Sequence, residues 1–543
     1  MAALMPASRT VVRAVLRSCG ALVALLSLGG CMMIGPDYVR PEAPTAPRWI
    51  DSPAAEPAAA DAPAPDLSSW WTVFGDPILT SLVETAYRQN PSLQTAGARV
   101  LEAQARRGIA IGGLFPQQQD AFGSYQRAGL SDARANQSGV DHFFSDWQAG
   151  FDAAWELDVW GRFRRDIESA DAELLASIAS YDDVLVALVA EVAVNYIQLR
   201  TLEQRLDVAR ANVGIQERSF TIADEKYQAG EVTGLDSAQA ASLLEDTRAL
   251  IPDLETGIRQ TENTISILLG MPPRDLTDLV GARRAVIPSP PPTVALGVPA
   301  DLLRQRPDVR VAERQLAAQS AQIGVAKADL LPRFALVGTV SVAAEDFPDL
   351  FEGRSFENFG GPSVRWAILN YGRITNNVRV QDARFQALIG EYENSVLRAQ
   401  AEVESALAAF LGTQRRLAAL ERSVTAATRA VELAEIQYRE GAYDYTRVLD
   451  TQQFLVGAED RLVATKGNVG LSLTALYKAL GGGWELRMGQ EFVSGDAKNA
   501  MRARTRWGGM LDGEGQRQAA EGAASGTEAE GGGFRPRAWW PWW

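Results

Sequence analysis

Apolar and polar positions along the chain follow two different periods. Across Trp147–Leu157 they alternate residue by residue, and the alternation returns across Phe334–Ala343. A period of two predicts strands that are apolar on one face only. Two further strands are expected near Ala121–Arg127 and around Pro362, where the alternation is less regular. The sequence thus predicts a small sheet with one apolar face.

Longer stretches carry apolar residues at intervals of three and four. Between Asp182 and Glu225, leucine and alanine recur at this spacing, while arginine, glutamate and glutamine occupy the opposite side. This pattern predicts a helix on the order of 65 Å long, packed against its neighbours as in a coiled coil. A second seam of the same kind runs through Leu417, Leu420 and Val424. The chain is therefore expected to be mainly helical.

No helical stretch beyond residue 30 is apolar over the roughly 18 residues that a membrane-spanning helix requires. If the protein crosses a bilayer, its strands must do so. Four strands cannot close a barrel, and open sheet edges are not tolerated in lipid. Several copies of the chain would then have to pool their strands.

The predicted elements occur twice in the same order. Four landmarks recur along the chain: Pro91–Pro116 with Pro307–Pro332, Trp155–Arg162 with Trp366–Arg373, Tyr227–Gly230 with Tyr438–Gly441, and Leu268–Gly270 with Ala479–Gly481. The last three pairs share an offset of 211 residues, and the proline pair has an offset of 216. This order indicates a tandem duplication of roughly 210 residues.

The N-terminus has the pattern of a secretory leader, with three arginines before a short apolar stretch. Leu28-Gly29-Gly30-Cys31 follows and resembles a bacterial lipobox, whose cysteine is acylated and becomes the new N-terminus. An ordinary signal peptide cleaved nearby, with Cys31 incidental, is the alternative. Met32 stands where aspartate would mark inner-membrane retention, which favours the outer membrane. Pro- and Ala-rich sequence then continues as far as Ser69 and predicts an extended tether.

Composition removes several classes of function. The formal net charge of −14 leaves no basic surplus for phosphates, so nucleic acid is not an expected partner. The cysteines are Cys19 and Cys31, and the only histidine is His142, so no Cys/His metal site is expected. No Gly-rich phosphate loop and no Gly-x-Ser-x-Gly elbow occurs. The sequence predicts no enzyme activity and no cofactor besides the covalent lipid on Cys31.

In this order, the motifs resemble the outer-membrane efflux family of TolC-like proteins, and among them the NodT-type lipoproteins similar to OprM. The resemblance covers roughly residues 31–490. It rests on the Cys31 lipobox, Gly35-Pro36-Asp37-Tyr38, Trp70-Trp71 ahead of Phe74-Gly75-Asp76-Pro77, Arg306-Pro307-Asp308-Val309 with Ala312-Glu313, Ile323–Ala328, and the duplicated Gly-Arg and Tyr-x-x-Gly sites.

The resemblance implies a mainly α-helical, tandem-duplicated, TolC-like protomer with a membrane β-barrel portion. Three protomers with four strands each would share a 12-stranded β-barrel, joined to a long periplasmic α-helical barrel. The expected domains are a signal peptide (1–30), a lipidated N-terminus with a Pro/Ala-rich tether (31–69), a first efflux repeat (70–290), a second efflux repeat (291–490) and a low-complexity tail (491–543).

The same resemblance implies an outer-membrane exit duct of a tripartite efflux system that passively conducts drugs or small metabolites. Its expected partners are two further copies of the chain, a periplasmic adaptor (membrane fusion protein) and an inner-membrane resistance-nodulation-division transporter. Two alternatives remain open at this point. One is a type I secretion duct for polypeptides, and the other is a periplasmic coiled-coil lipoprotein that forms no channel.

Candidate functional residues cluster near the two Tyr-x-x-Gly turns. The resemblance implies that Tyr227–Gly230 and Tyr438–Gly441 are the periplasmic tips of two helical hairpins. Asp450 falls on a position that is acidic and faces the pore in the family, so a ring of Asp450 carboxylates is expected there. Arg447 occupies a site that is acidic in some members, and it is expected to bridge to an acid of a neighbouring protomer in the closed state. From the pattern alone, Asp450 could equally be a solvated carboxylate on a helix surface.

Overall fold

A computed structural model describes residues 33–50, 67–131, 133, 135, 141–281, 286–290 and 303–511. The expected leader, Cys31 and the Trp-rich end of the chain lie outside the described residues. Contacts divide the chain into two units. The first unit takes its described residues from the segment up to Glu42, Glu102–Ala176 and Ala312–Glu391, and the second from Ala43–Leu101, Ser177–Val311 and the segment from Tyr392 onward.

The first unit contains one antiparallel sheet of four strands in the order β1-β2-β3-β4. The strands are β1 (Gln118–Gly129), β2 (Phe143–Leu157), β3 (Arg333–Ala344) and β4 (Phe356–Arg365). The clear predictions for β2 and β3 are confirmed, and so are the weaker ones for the outer strands. β1 and β4 alternate less cleanly because Phe122 and Phe359 lie on the otherwise polar face, in register with Gly150 and Thr339.

The two faces of this sheet differ in chemistry. On one face, Phe151 lies opposite Val340 and Trp155 opposite Leu336. Phe151 is 68% exposed in the single chain, although a water-soluble sheet normally covers such a face. On the other face, Thr339 donates a hydrogen bond of 2.6 Å to Asp152.

Helices account for most of the described chain. The main helices are α1 (Pro77–Gln89), α2 (Pro91–Gly112), α3 (Arg162–Gln228), α4 (Gly234–Leu268), α5 (Thr277–Val280), α6 (Pro307–Ala328), α7 (Arg373–Arg439), α8 (Tyr445–Ala479) and α9 (Gly495–Arg504). α3 and α7 each have 67 residues, and α4 and α8 each have 35. A 67-residue helix extends on the order of 100 Å.

The predicted helix across Asp182–Glu225 is confirmed and is longer at both ends. It begins at Arg162. The preceding residue, Gly161, has a φ of 78°, a conformation that favours glycine, and this residue separates β2 from α3. Among the described residues, no helix combines the length and the apolar character needed to cross a membrane.

The duplication extends to individual contacts. The indole nitrogen of Trp155 donates to the carbonyl of Leu114 at 3.1 Å, and that of Trp366 donates to the carbonyl of Leu330 at 3.0 Å. These pairs are related by the offsets of 211 and 216 residues read from the sequence. The repeated landmarks therefore mark equivalent positions in three dimensions.

A second pair of equivalent contacts lies in the second unit. The Asn90 side chain donates to the carbonyl of Leu268 at 2.9 Å, and the Arg306 guanidinium donates to the carbonyl of Ala479. Arg306 also contacts the carboxylates of Asp308 and Glu402 at 2.7 and 2.8 Å. The second copy thus replaces a neutral amide with a buried charge that is neutralised by two acids.

The described part of the N-terminal stretch differs from the expected tether. Residues 33–50 form no helix or strand, as predicted, but they are fixed to the protein. The Ile34 amide donates to the Trp160 carbonyl at 3.1 Å, and the buried Arg165 guanidinium contacts the Asp37 carboxylate at 2.7 Å. Farther along, Trp49 is buried in the second unit. A buried guanidinium needs hydrogen-bond acceptors, and this segment supplies them.

The boundary expected at residue 490 also moves. Phe492 and Val493 are buried, and the carbonyl of Phe492 lies so close to Gly97 that a Cβ there would collide with it. Arg487 forms a buried ion pair with Asp182. The residues up to Leu511 therefore pack into the second unit, and low-complexity sequence begins only after them.

Candidate functional site at the hairpin tips

Two helical hairpins of the second unit end in matching turns. The first hairpin joins α3 to α4 and the second joins α7 to α8. Gly230 and Gly441 have φ angles of 75° and 73°, a conformation that favours glycine. The amides of Glu231 and Ala442 close the turns, each donating at 2.9 Å to the carbonyl five residues earlier. The turns predicted at Tyr227–Gly230 and Tyr438–Gly441 are confirmed, whereas their placement at the periplasmic end stays a prediction.

The two hairpins share a small apolar core next to these turns. Ala223 and Ala240 of the first hairpin are buried against residues of the second: Ala434, Tyr438, Tyr445 and Val448. The rings of Tyr438 and Tyr445 meet edge to face, with centroids 5.3 Å apart. Alanine on three of the helices leaves room for these two rings. This cluster is called the tip core below.

A polar contact joins the hairpins beside the tip core. The Tyr438 hydroxyl donates to the Asp236 carboxylate at 3.3 Å. Burial, reinforced by Asp236, raises the pKa of Tyr438 far above that of an ordinary tyrosine, so the phenol remains a proton donor. The Lys226 ammonium lies 5.4 Å from the centroid of the Tyr438 ring and donates to the Arg439 carbonyl at 3.4 Å. Sequence reasoning missed Asp236, although it occupies the position equivalent to Arg447 at the offset of 211.

Asp450 and Arg447 both lie on the exposed side of α8. The Arg447 guanidinium stacks 4.8 Å from the centroid of the Tyr443 ring. Within the described part of a single chain, Asp450 makes no ion pair or side-chain hydrogen bond, and it does not pair with Arg447. The pore ring and the bridge between protomers involve neighbouring copies, so both stay predictions.

A polar seam ties α8 to α3 beyond the tip core. Asn212 donates to Glu459 at 2.7 Å, and Gln452 donates to Ser219 at 3.1 Å and to Glu435 at 3.0 Å. Positions 212 and 219, like 452 and 459, are seven residues apart, which is the heptad spacing of a coiled coil. Polar residues at such positions fix the register of two helices. In the sequence, the only signal for these polar contacts is the seven-residue spacing of polar residues along otherwise apolar helix faces.

The sheet of the first unit supplies the other candidate surface. Aromatic residues lie at both ends of its apolar face. Trp155, Trp160 and Trp366 are at the end nearer the helices in sequence, and the Trp160 indole donates to the Pro332 carbonyl at 2.7 Å. At the other end, the ring centroids of Tyr125 and Trp147 are 4.3 Å apart. Aromatic residues at both ends of an apolar band are typical of strands that cross a membrane.

No cluster of three or more His, Cys, Asp or Glu residues within the described ranges could hold a metal ion. The geometry around the tips consists of ion pairs, a tyrosine–carboxylate contact and packed rings. Such contacts hold helices together, and their loss would let the helices separate.

Comparison with known proteins gives consistent matches. The profile of the family described as outer membrane efflux protein matches residues 82–271 and 298–482, one segment in each copy of the duplication. The chain is 33% identical to the pyoverdine export outer membrane protein OpmQ of Pseudomonas putida, covering 81% of this chain and 94% of that protein. It is 31% identical to the toluene efflux pump outer membrane protein TtgF of Pseudomonas putida, covering 85% and 95%. It is 30% identical to nodulation protein T of Rhizobium leguminosarum, covering 84% and 96%.

Solved structures show the same relationship. The outer-membrane channel OprN superposes with a TM-score of 0.76 at 34% identity, over 83% of this chain and 99% of OprN. The open state of the Neisseria gonorrhoeae MtrE outer membrane channel superposes with a TM-score of 0.70 at 25% identity, over 84% and 99%.

Proposed function

Because the chain belongs to the outer membrane efflux protein family, in which it is an efflux channel and not an enzyme, we propose how its described parts form and close that channel. It acts in the outer membrane and reaches into the periplasm, as the exit duct of a tripartite system with an adaptor and an inner-membrane transporter. The observation that carries our proposal is the combination of a two-faced sheet with two long helical hairpins at equivalent positions.

We propose that three copies assemble by joining their sheets edge to edge. In one chain, β1 and β4 each pair on one side only. Such edges are unfavourable in lipid, and closure of several sheets into one barrel removes them. Three copies would supply twelve strands, with Phe151 and Trp155 towards lipid and Asp152 towards the water-filled interior.

The helical hairpins would form the periplasmic gate. The Tyr438–Asp236 contact and the tip core hold the two tips of one chain together. Asp450, exposed on α8 beside them, is suited to face the narrowing between copies. Arg447 would bridge to an acid of a neighbouring copy when the gate is closed. Opening would then require these contacts to release when adaptor and transporter engage.

The proposed lipid anchor is Cys31, acylated after removal of residues 1–30. Ile34, three residues later, is hydrogen-bonded to Trp160 at the aromatic end of the sheet. That placement would bring the acyl chains to the same level as the tryptophans, where they could insert into the inner leaflet of the outer membrane.

The cargo would be small molecules received from a transporter of the resistance-nodulation-division class. Among the relatives, OpmQ is named for pyoverdine export and TtgF for toluene efflux. These names favour small-molecule efflux over a polypeptide secretion duct. Selection of the cargo would rest with the transporter, because a wide aqueous duct offers few specific contacts.

Planar-bilayer conductance of the purified protein, with its mass measured by light scattering, tests this proposal. We expect trimer-sized particles with a small conductance that prefers cations. Stable monomers without conductance would overturn the shared-barrel assembly.

A single substitution tests the pore ring. Asp450→Asn should lower the cation preference of the single channel, because three carboxylates in a narrow pore attract cations. Gln239 occupies the equivalent position of the first hairpin, and Gln239→Asn, which changes no charge, is the matched control. An unchanged cation preference in Asp450→Asn would place that carboxylate outside the pore.

A further inference from the structure

The loop between β3 and β4 carries two phenylalanines on a short helical turn. Phe347–Phe351 is a short 3₁₀-helix, and Gly353–Ser355 is a second one. Phe347 and Phe351 are 51% and 77% exposed. An exposed aromatic ring is costly in water, and two on consecutive turns of one helix form a small apolar surface.

These rings continue the aromatic end of the sheet. The Trp147 ring contacts Phe347 edge to face at 5.0 Å, and Phe347 contacts Phe351 in the same way at 5.8 Å. Trp147 lies on the same face of β2 as Phe151 and Trp155, because strand residues alternate between faces. The apolar face of the sheet therefore extends without interruption onto the loop.

The same loop also carries charged side chains. The Arg354 guanidinium pairs with Asp349 at 2.8 Å and with Glu352 at 2.6 Å. Asp346 precedes the first turn and is exposed. At three residues per turn, Asp349 lies on the side of the first 3₁₀-helix away from Phe347 and Phe351. The turn is therefore amphipathic, as in segments that lie flat at a membrane surface.

The loop lies next to the Trp147 end of the sheet, and the length of the sheet's apolar face places that end near a membrane surface. Trp147 and Trp155 are eight residues apart on β2, which corresponds to about 27 Å along the strand. With a strand tilt of about 40°, the two tryptophans would be separated by roughly 20 Å across the bilayer, close to the apolar band of outer-membrane proteins. The rings next to Trp147 would thus lie at the outer boundary of that band.

We propose that the β3–β4 loop, residues 345–355, is a lipid-binding element in which Phe347 and Phe351 insert among the acyl chains of the outer leaflet. Asp349, Glu352 and Arg354 face the headgroups. This inference rests on the proposed placement of the sheet's apolar face in lipid. The loop is then part of the membrane contact of the channel and is withdrawn from the aqueous surface of the cell.

Single-cysteine reporters test the proposal in the full protein reconstituted in phosphatidylcholine vesicles. Phe351→Cys is labelled with an environment-sensitive fluorophore, and Asp346→Cys, in the same loop, is the matched control. Both replaced side chains are exposed, so neither variant removes core packing. The unsubstituted protein provides the labelling blank, because the natural cysteines are Cys19 in the leader and Cys31 at the proposed lipid.

Lipids with a nitroxide on the acyl chain should remove about half of the fluorescence at position 351 and little at position 346, because only the first lies at acyl-chain depth. Strong quenching of position 351 by aqueous iodide would overturn the proposal. If neither quencher reached position 351, contact with a second copy would replace lipid as its partner, and the proposal would also fail.

A third reporter separates this inference from the assembly on which it rests. Phe151→Cys lies in the middle of the sheet's apolar face. Quenching by the nitroxide lipid at position 151 without quenching at 351 would refute the loop inference alone. Absence of lipid quenching at 151 would refute the placement of the sheet itself.

Discussion

The first hairpin turns at Gly230 and the second at Gly441, with almost the same φ angle and with helices of equal length on either side. Their interiors differ. In the first, Tyr227 is 49% exposed and its ring packs beside Gly234, which offers no side chain. In the second, the equivalent positions hold Tyr438 and Tyr445, and both are buried in the tip core. The same backbone turn thus carries a half-exposed tyrosine in one copy and two buried tyrosines in the other.

This difference shows which part of a duplicated element is constrained. A positive φ strongly favours glycine at the turn position, and both copies have glycine there. The neighbouring side chains are free to diverge as long as the helices still pack. Here the second copy has one ring more, Tyr445 in place of Gly234, and its Tyr438 hydroxyl donates to Asp236 of the first hairpin. In the proposed gate, opening would therefore require release of the contacts that Tyr438 and Tyr445 make with the first hairpin.

The largest effect is expected from Tyr445→Ala. Removing a ring that fills the tip core should lower local stability by about 3–5 kcal/mol, because the cavity cannot collapse onto alanines. Hydrogen exchange of the amides in the second tip measures this loss. At the equivalent position, Gly234→Ala should change the exchange of the first tip by less than about 1 kcal/mol. Equal losses at the two tips would remove the distinction between them.

Gln452→Ala should have the next largest effect. The substitution leaves Ser219 and the Glu435 carboxylate without the amide donor that they share in the polar seam. We expect the free energy of unfolding to fall by about 1–3 kcal/mol. Thermal unfolding monitored by circular dichroism would report it. The adjacent Gln453 is exposed, and Gln453→Ala should be nearly neutral. A neutral Gln452→Ala would mean that the seam does not fix the register of α8 on α3.

Tyr438→Phe removes the donor to Asp236 and keeps the ring in the tip core. The free energy needed to separate the two hairpins should fall by about 0.5–1.5 kcal/mol, because one hydrogen bond is lost. The open fraction of single channels should therefore rise. Tyr227→Phe is the matched control, because the first tip has no equivalent contact to a second carboxylate in the described structure. A higher open fraction in both variants would point to a general loosening of the tips.

The smallest effect within one chain is expected from Arg447→Gln. Its guanidinium stacks on the exposed Tyr443 ring, an interaction of about 0.5–1 kcal/mol at the surface. A matched Tyr443→Leu variant removes the same stacking and keeps the charge. Much larger channel opening in Arg447→Gln than in Tyr443→Leu would support a bridge from Arg447 to a neighbouring copy. Equal effects would exclude that bridge.

Local periodicity allowed most elements of the fold to be predicted. β2 and β3 have regular alternation because each has one apolar and one polar face, and the turns stand out because their positive φ strongly favours glycine. The long helices were recognised from their seams, although α3 begins twenty residues before Asp182. Its first turns lie in the other unit.

Contacts between distant parts of the chain could not be predicted in this way. Asp236 and Tyr438 are 202 residues apart, and although the repeated turn marks Tyr438, nothing within α4 marks Asp236 as its partner. The burial of Trp49 and Phe492 depends on surfaces formed by other segments, so both stretches were interpreted as loose from composition alone. Phe347 and Phe351 lie outside any strand, where alternation gives no signal. Comparison of equivalent positions in the two copies would have drawn attention to Asp236.

Gly35 and Gly324 meet so closely that a side chain on either would collide with its neighbours. This contact fixes the chain just after its proposed anchor. Ile34 is only three positions after Cys31, a distance that a fully extended chain spans in roughly 10 Å. A force that a working pump exerts along the channel axis would therefore be transmitted directly to the proposed lipid on Cys31. The anchor would resist axial movement of the whole duct.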